Sequence, residues 1–148
     1  MNRTPATAKT RVLILCTGNS ARSQMGEGLL RAMGGGVVDV ASAGTEPSRV
    51  HPLAVRVMRE RGIDIRSHTS KHLNTFIESP FDHVITVCDA ATDNCPVFPG
   101  SALRCHWSLP DPASVGDEAG RLEAFREVAG LLEGHLKQFL SELRSDAS

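Results

Sequence analysis

Residue types that can do chemistry concentrate in one short loop, Cys16-Thr17-Gly18-Asn19-Ser20-Ala21-Arg22-Ser23. The loop follows an apolar run typical of a buried strand and precedes a run with helical spacing of apolar residues. Successive backbone N–H groups at such a junction can converge on one tetrahedral oxyanion, and the helix N-terminus adds positive potential. The loop therefore predicts an oxyanion cradle, formed by residues 17–23, with a nucleophilic cysteine at its base.

Individual side chains suit this interpretation. The planar guanidinium of Arg22 can bind two oxygens of one anion. The helix N-terminus favours the thiolate form of Cys16, and Ser23 can donate a hydrogen bond to that sulfur. Gly18 is expected to permit backbone angles or close approaches that a side chain would block, and Asn19 to hold the loop together. A bare Cys-x5-Arg pattern is common by chance, so the strand–loop–helix context carries the prediction.

Two further cysteines, Cys88 and Cys95, make thiol–disulfide redox chemistry possible. Seven residues of helix span roughly 10.5 Å, whereas a disulfide needs Cα atoms within about 7 Å. Any helical turn between the two would be distorted by a disulfide. Without Cys16 we would favour a buried strand cysteine and an incidental loop cysteine; with it, a three-thiol relay is the better hypothesis, and the chain is predicted to be a redox enzyme acting on a phosphate-shaped anion.

The composition limits the class of protein. The chain has 148 residues, 41% of them hydrophobic and 22% charged, which is ordinary for one globular domain. A net charge of −1 gives no general attraction to nucleic acid or membrane, and no apolar run is long enough to span a bilayer. We expect a flexible tail over residues 1–10, a single domain over 11–143 and a monomer. The polar N-terminus has no apolar signal segment, which favours the cytoplasm. No Cys-x-x-Cys pair supports a zinc ribbon or a thioredoxin motif.

Strand and helix patterns alternate along the chain, which predicts a three-layer α/β/α fold on a four-stranded parallel sheet. Ligands of such sheets bind beyond the carboxyl ends of the strands, where Cys16 and Cys88 both fall. Ser23 is predicted to cap the first helix. Strands are predicted over residues 11–16, 37–41, 84–88 and 102–106, helices over 25–33, 53–61 and 117–143, and a weaker helix over 69–77.

Asp111 lies on a proline-stiffened segment after the last predicted strand. A carboxyl group held over the anion could protonate a leaving oxygen, but Asp-Pro is also a common turn pair, and spacing alone leaves both open. His68 and His72 lack an obvious third ligand, so no metal site is expected. Cys105 is expected to be a semi-buried thiol, and Trp107 to serve packing.

Taken together, these motifs resemble the thioredoxin-coupled arsenate reductases, which are built on the low molecular weight protein tyrosine phosphatase fold. The resemblance runs from about Arg11 to Leu140. It rests on the segments Cys16 to Met25, Ser42-Ala43-Gly44, Cys88-x6-Cys95-Pro96 and His106-Trp107 through Asp111-Pro112.

The resemblance implies a mechanism and a partner. Cys16 attacks arsenate bound between Cys16 and Arg22 while Asp111 protonates the departing oxygen. Cys88 then attacks Cys16, which releases arsenite and leaves a Cys16–Cys88 disulfide. Cys95 moves the disulfide to Cys88–Cys95, which thioredoxin reduces. No cofactor or resident metal is required.

One position departs from the pattern. Some members of this family bind potassium through residues matching Asn19, Glu27 and Ser42, together with an aspartate after Thr-Ser. Lys71 stands where that aspartate would be, after Thr69-Ser70. A fixed ammonium group can replace the cation, so we expect little potassium dependence.

Two alternatives stay open at this stage. A low molecular weight phosphatase would use the same loop and Asp111 through a cysteinyl-phosphate, but it has no use for Cys88 or Cys95. Such phosphatases usually carry a second cysteine in the loop, where this chain has Ala21, and the chain has no tyrosine. The other alternative is a non-catalytic thiol redox sensor or oxyanion-binding regulator, against which the presence of both Arg22 and Asp111 argues.

Overall fold

A computed structural model describes residues 9–89 and 97–147, and its centre is a parallel four-stranded sheet. The strand order is β2-β1-β3-β4, and every neighbouring pair runs parallel. Positions 12–16 of β1 are all buried, because this central strand is covered on both faces. The strands are β1 (Thr10–Cys16), β2 (Val38–Gly44), β3 (His83–Thr86) and β4 (Leu103–His106).

Three helices pack together against one face of the sheet: α1 (Arg22–Gly34), α2 (Pro52–Glu60) and α3 (Glu118–Ala147). Val12 and Ile14 of β1 point into this face, where they join the larger of two buried apolar clusters. Proline at the first position of α2 needs no N–H partner, and Gly62 beyond its end adopts φ +79°, a conformation that favours glycine.

The opposite face is covered by a thinner layer within the described residues. Leu13 and Leu15 of β1 lie in the second apolar cluster. Phe81 stands edge-on to both Phe76 and Phe98, with ring centroids 5.9 Å apart in each pair. The predicted parallel sheet with layers on both faces is confirmed.

The helix predicted over residues 69–77 is wrong, because only a 3-10 turn forms there, Leu73–Phe76. The main chain at Lys71 is engaged elsewhere: its N–H donates to Asn19 Oδ1 (2.8 Å), and its carbonyl accepts from Gly44 N (2.9 Å). Tertiary hydrogen bonds have replaced the local helical ones, which overrides a weak propensity.

The other predicted elements form with small shifts at their ends. β1 begins at Thr10, inside the predicted tail, whose residues 1–8 lie outside the described part of the chain. Within residues 9–89 and 97–147, no helix is both long and apolar enough to cross a membrane.

The sheet brings three chemically important segments to one edge. β1 ends at Cys16, which pairs with Gly44 of β2. On the other side of β1, Val87, the residue after β3, donates from its N–H to Leu15 O (2.9 Å). Cys88 follows one residue beyond that bond. Neighbouring strands lie about 4.8 Å apart. The segment that carries Asp111 leaves β4 at the same edge, since Thr86 pairs with His106.

Candidate active site

The carbonyl groups of four consecutive loop residues all turn away from the loop's centre and are held by other segments. The donors come from residues up to 52 positions away in the sequence, so the loop is anchored by tertiary structure. The bonds are Glu46 N to Thr17 O (2.9 Å), Ser70 Oγ to Gly18 O (3.0 Å), Gln24 Nε2 to Asn19 O (3.2 Å) and His51 N to Ser20 O (3.0 Å).

This anchoring fixes the direction of the N–H groups. In a trans peptide the C=O and the following N–H point in opposite directions, and no cis peptide occurs in the described residues. Outward carbonyls of residues 17–20 therefore turn the N–H groups of residues 18–21 inward. Convergent N–H groups at the start of α1 form a binding site for one oxyanion.

Asn19 is the centre of the loop. It is fully buried and adopts φ +46°, the left-handed region that asparagine tolerates better than most residues. Its amide uses both donors and both acceptor positions. The bonds are Asn19 Nδ2 to Ser23 Oγ (2.8 Å) and Ser42 Oγ (2.9 Å), and Gln24 Nε2 (3.0 Å) and Lys71 N (2.8 Å) to Asn19 Oδ1.

The expectation for Gly18 is wrong. Its φ is not positive, and a Cβ built there would meet nothing closer than 3.7 Å. The left-handed residue is Asn19 instead, and the close approach occurs at Gly44. A Cβ on Gly44 would lie 2.4 Å from Thr17 O and 2.7 Å from Cys16 O, so β2 must carry a glycine where it passes the loop.

Ser23 lies against the nucleophile and does not cap the helix. α1 begins at Arg22 with Ala21 before it, which places Ser23 inside the first turn. Its Oγ is 2.9 Å from Cys16 Sγ. Because Asn19 Nδ2 already donates to this hydroxyl, its own hydrogen is available for the sulfur. A thiolate has no proton to give, so Ser23 donates to it in the reactive form.

A buried carboxylate supports the loop from below. Ser42 Oγ donates to Glu27 Oε1 (2.5 Å), and Arg31 Nη2 donates to Glu27 Oε2 (2.6 Å). His68 contacts Arg31 Nη1 (3.0 Å) and Gln24 Oε1 (3.0 Å) through its two ring nitrogens. Burial, together with Arg31 and Lys71, lowers the pKa of His68 despite the nearby Glu27. His68 is thus a packed, hydrogen-bonded histidine; His72 caps the 3-10 turn by accepting from Asn74 N (3.0 Å).

The residues that match the family's potassium ligands are hydrogen-bonded to protein groups here. Lys71, which stands in place of the family's aspartate, donates from Nζ to Thr69 O (2.7 Å). Asn19 Oδ1 and both Glu27 oxygens hold hydrogen bonds from protein groups. Burial lowers the pKa of Lys71, and the charge of Glu27 opposes this.

Arg22 connects the loop to the segment that carries Asp111. The guanidinium is buried, and Nη1 donates to Leu109 O (3.0 Å). Asp111 caps the 3-10 turn Pro112–Ser114, with Oδ1 accepting from Ala113 N (3.0 Å). The sequence left open whether Asp111 is a turn residue or a general acid, and the two roles are compatible. One carboxyl oxygen, Oδ1, accepts the capping hydrogen bond, and the other, Oδ2, takes no part in it.

The cysteines differ in state. Cys16 and Cys105 are free thiols, whereas Cys88 is fully buried and disulfide-bonded. The predictions for Cys95 and for its pairing lie outside the described residues. Burial raises the pKa of the Cys105 thiol, which makes it a poor nucleophile. Trp107 stacks on His135 (ring centroids 4.8 Å apart), consistent with packing.

Sequence reasoning missed the residues that hold the loop, namely Gln24, Ser42, Glu46, His51 and Ser70. Gln24 alone lies close enough in sequence for a local signal, one helical turn after the loop. The others lie 19–47 residues beyond Ser23, the last residue of the loop, and the local sequence pattern does not specify their partners.

Removal of the Ser23 hydroxyl should reduce the thiolate fraction of Cys16. A hydrogen bond to a charged group contributes about 1.5–3 kcal/mol, so Ser23→Ala should lower the thiolate–thiol ratio about tenfold or more. Absorbance at 240 nm against pH, referenced to Cys16→Ser, measures this ratio. Ser48→Ala, at an exposed position, should leave it unchanged; an unaltered ratio in Ser23→Ala would contradict the assignment.

Potassium should have little effect on activity, because the Lys71 ammonium stands where the family's potassium-binding aspartate would be. At constant ionic strength, exchange of potassium for tetramethylammonium should change kcat/KM by less than about twofold. Lys71→Asp restores the aspartate that the potassium-binding members of the family carry, so its kcat/KM should depend on potassium. A large loss for the wild type on removal of potassium would refute this prediction.

Comparisons with known proteins agree with this geometry. The chain matches the low molecular weight phosphotyrosine protein phosphatase family over residues 11–148. It is 40% identical over 129 residues to an arsenate reductase of Bacillus subtilis, covering 86% of this chain and 93% of the relative. It is 45% identical over 105 residues to arsenate reductase 1 of Staphylococcus epidermidis, covering 71% and 80%.

Solved structures give the same result. An arsenate reductase in its phosphate binding state matches with a TM-score of 0.78 at 34% identity, covering 90% of this chain and 98% of that one. A thioredoxin-dependent arsenate reductase of Corynebacterium glutamicum matches with a TM-score of 0.73 at 28% identity, covering 95% and 65%. This chain belongs to the low molecular weight phosphotyrosine protein phosphatase family and, within it, to the arsenate reductases.

Proposed function

We propose that this protein is a thioredoxin-dependent arsenate reductase. One observation carries the proposal: an oxyanion loop with Cys16 at its base has a second cysteine, Cys88, at the end of the adjacent parallel strand. An oxyanion loop alone also suits hydrolysis; a neighbouring cysteine suits reduction. The relatives named arsenate reductase, and a neighbour named thioredoxin-dependent, support the same activity.

In the first step, arsenate binds to the inward N–H groups of residues 18–21 and to Arg22. The Cys16 thiolate attacks arsenic and forms an S–As bond. An As–O bond breaks, and Asp111 gives its proton to the departing oxygen, which leaves as water. Arsenic stays in the +5 state. The loop contributes by stabilising the negative charge of the oxygens through groups that are already oriented.

In the second step, Cys88 as a thiolate attacks Cys16 Sγ. The S–S bond forms as the S–As bond breaks, and the electron pair of that bond stays on arsenic, which leaves as arsenite in the +3 state. The product on the protein is a Cys16–Cys88 disulfide. Cys16 and Cys88 emerge from neighbouring strands at one edge, which supports this pairing.

In the third step, Cys95 attacks Cys88, frees the Cys16 thiolate and forms the Cys88–Cys95 disulfide. Thioredoxin then supplies two electrons and two protons to this disulfide, so the two electrons gained by arsenic are replaced and no bound cofactor is needed. Structures of arsenate reductases in a reduced, an intermediate and an oxidized state also support a cycle of this kind.

The second candidate function is hydrolysis of a phosphomonoester, which the family match favours. A tyrosine phosphatase of Erwinia amylovora shares the fold with a TM-score of 0.71, but at 22% identity. Hydrolysis would use Cys16, Arg22 and Asp111 and leave Cys88 without a role. Ala21 stands in the loop where such phosphatases usually carry a second cysteine, so reduction remains the first proposal.

The relay predicts a clear pattern in cysteine variants. With thioredoxin, its reductase and NADPH, the wild type should consume NADPH in an arsenate-dependent way. Cys88→Ser and Cys95→Ser should reduce this coupled turnover to background. Without Cys88 no thiol displaces arsenite from Cys16, and without Cys95 the oxidation stays in the Cys16–Cys88 disulfide. Cys105→Ser is the matched control and should keep full turnover, since its thiol lies outside the relay.

Phosphatase activity separates the two functions. Hydrolysis of para-nitrophenyl phosphate should survive loss of Cys88 or Cys95 and disappear in Cys16→Ser. Wild-type protein that never couples to thioredoxin but hydrolyses the ester efficiently would overturn the reductase proposal in favour of the phosphatase.

The role of Asp111 can be separated from its capping bond. Asp111→Asn keeps an oxygen that can accept from Ala113 N but cannot give a proton, so the first-turnover rate should fall about 100-fold or more with thermal stability retained. Asp117→Asn is the control, because Asp117 also caps a backbone N–H, that of Gly120 (3.1 Å). An unchanged rate for Asp111→Asn would exclude it as the acid.

The proposal extends to location and assembly. A relay that ends in a disulfide reduced by thioredoxin requires a reducing compartment, so we place it in the cytoplasm. The site described above is made by one chain, which suits a monomer. Light scattering after gel filtration, at assay concentrations, tests the monomer.

A further inference from the structure

One residue, His51, joins the oxyanion loop to helix α2. Its N–H donates to Ser20 O (3.0 Å), which is the fourth of the outward loop carbonyls. Its own carbonyl accepts from Ala54 N (3.0 Å) and Val55 N (3.2 Å), the first bonds of the helix. Its ring nitrogen Nδ1 accepts from Leu53 N (3.1 Å). The position of the Ser20 carbonyl therefore depends on how firmly residue 51 is fixed.

The Leu53 contact defines the protonation state of the imidazole. An N–H donor at 3.1 Å requires an unprotonated Nδ1, so the ring is neutral and carries its proton on Nε2. Pro52 has no N–H, which makes Leu53 N the first helical donor in need of an acceptor. A proton added to Nδ1 would place two donors face to face and remove the cap.

The surroundings favour the neutral ring. His51 packs on Phe125 of α3, with ring centroids 4.7 Å apart. The charged groups that act on it are Arg49 in its own segment, Arg121 of α3 and Asp111 of the segment after β4. Burial and the two arginines lower the pKa of His51, and Asp111 opposes them. The cap is thus complete at neutral pH and is lost as the pH falls from 6.5 through the lowered value.

We propose that His51 is a positioning residue for oxyanion binding, which acts through its neutral imidazole. The ring fixes residue 51, residue 51 holds the Ser20 carbonyl outward, and the same peptide turns the Ala21 N–H inward. This rests on the proposed function in that the bound oxyanion is the substrate. His51 itself touches no substrate in this scheme.

The consequence is a pH-dependent affinity that belongs to the protein and not to the anion. Above pH 6.5 the helix cap holds and affinity is full. As the pH falls through the lowered pKa of His51, the ring gains a proton, the cap opens and affinity falls. Arsenate and phosphate change charge in this range, so sulfate, which stays a dianion, is the suitable probe.

The test measures sulfate Kd by calorimetry from pH 8 to pH 4.5 for the wild type, His51→Asn and His51→Phe. Asparagine keeps an N-cap acceptor that does not titrate, so it should match the wild type at pH 8 and bind about fivefold more tightly than the wild type at the acid end. Phenylalanine keeps a ring against Phe125 but no acceptor, and should bind about fivefold more weakly at pH 8.

His135→Asn, which removes an exposed histidine on α3, is the control and should follow the wild type at every pH. The backbone amide of Ala21 gives a second readout: its nitrogen and proton shifts should titrate with the His51 ring in the wild type and not in His51→Asn. Parallel sulfate curves for the wild type and His51→Asn, or an Ala21 amide that ignores the His51 titration, would overturn the proposal. Neither readout depends on arsenate reduction, so failure of the proposed function would appear separately, in the coupled assay.

Discussion

The fully bonded amide of Asn19 is the interaction on which the rest of the site depends. Its two N–H groups and its oxygen hold four neighbours from α1, β2 and residues 69–71. A buried amide that loses a partner costs about 1–3 kcal/mol, so these segments can only move together. The same side chain stabilises the left-handed backbone at residue 19 and orients the hydroxyl of Ser23 toward Cys16.

A backbone cradle requires that its carbonyls be bonded elsewhere, because every inward N–H leaves an outward C=O. Unpaired carbonyls at the start of a helix would be free to rotate inward and repel an anion. Here the four carbonyls of residues 17–20 each have an external donor, two from side chains and two from main-chain N–H groups. The positive character of the site thus depends on groups that never touch the anion, which is why a chain of net charge −1 can carry it.

Sequence predicted the parts of this arrangement that are local. A buried apolar run predicted β1, helical spacing predicted α1, and the junction between them predicted the positions of Cys16 and Arg22. The anchors Ser42, His51 and Ser70 were not predictable, because hydrogen bonds across 23–52 residues leave no periodic trace in the chain. The sequence pattern wrongly predicts a helix over residues 69–77 for the same reason. The main chain of Lys71 makes its hydrogen bonds with Asn19 and Gly44, which lie far away in the sequence.

A loop held this firmly also explains why reduction needs more than one thiol. Cys16 is 2% exposed. Its sulfur is hydrogen-bonded to the Ser23 hydroxyl, within a loop that is anchored at four carbonyl groups. A protein reductant could reach it only by breaking those anchors, which would abolish the anion site. Cys88, at the end of the adjacent strand, is itself fully buried, so the proposed relay passes the oxidation on from Cys88 to Cys95 and the disulfide leaves the loop. In the proposed relay the second and third cysteines are therefore a consequence of the rigidity that makes Cys16 reactive.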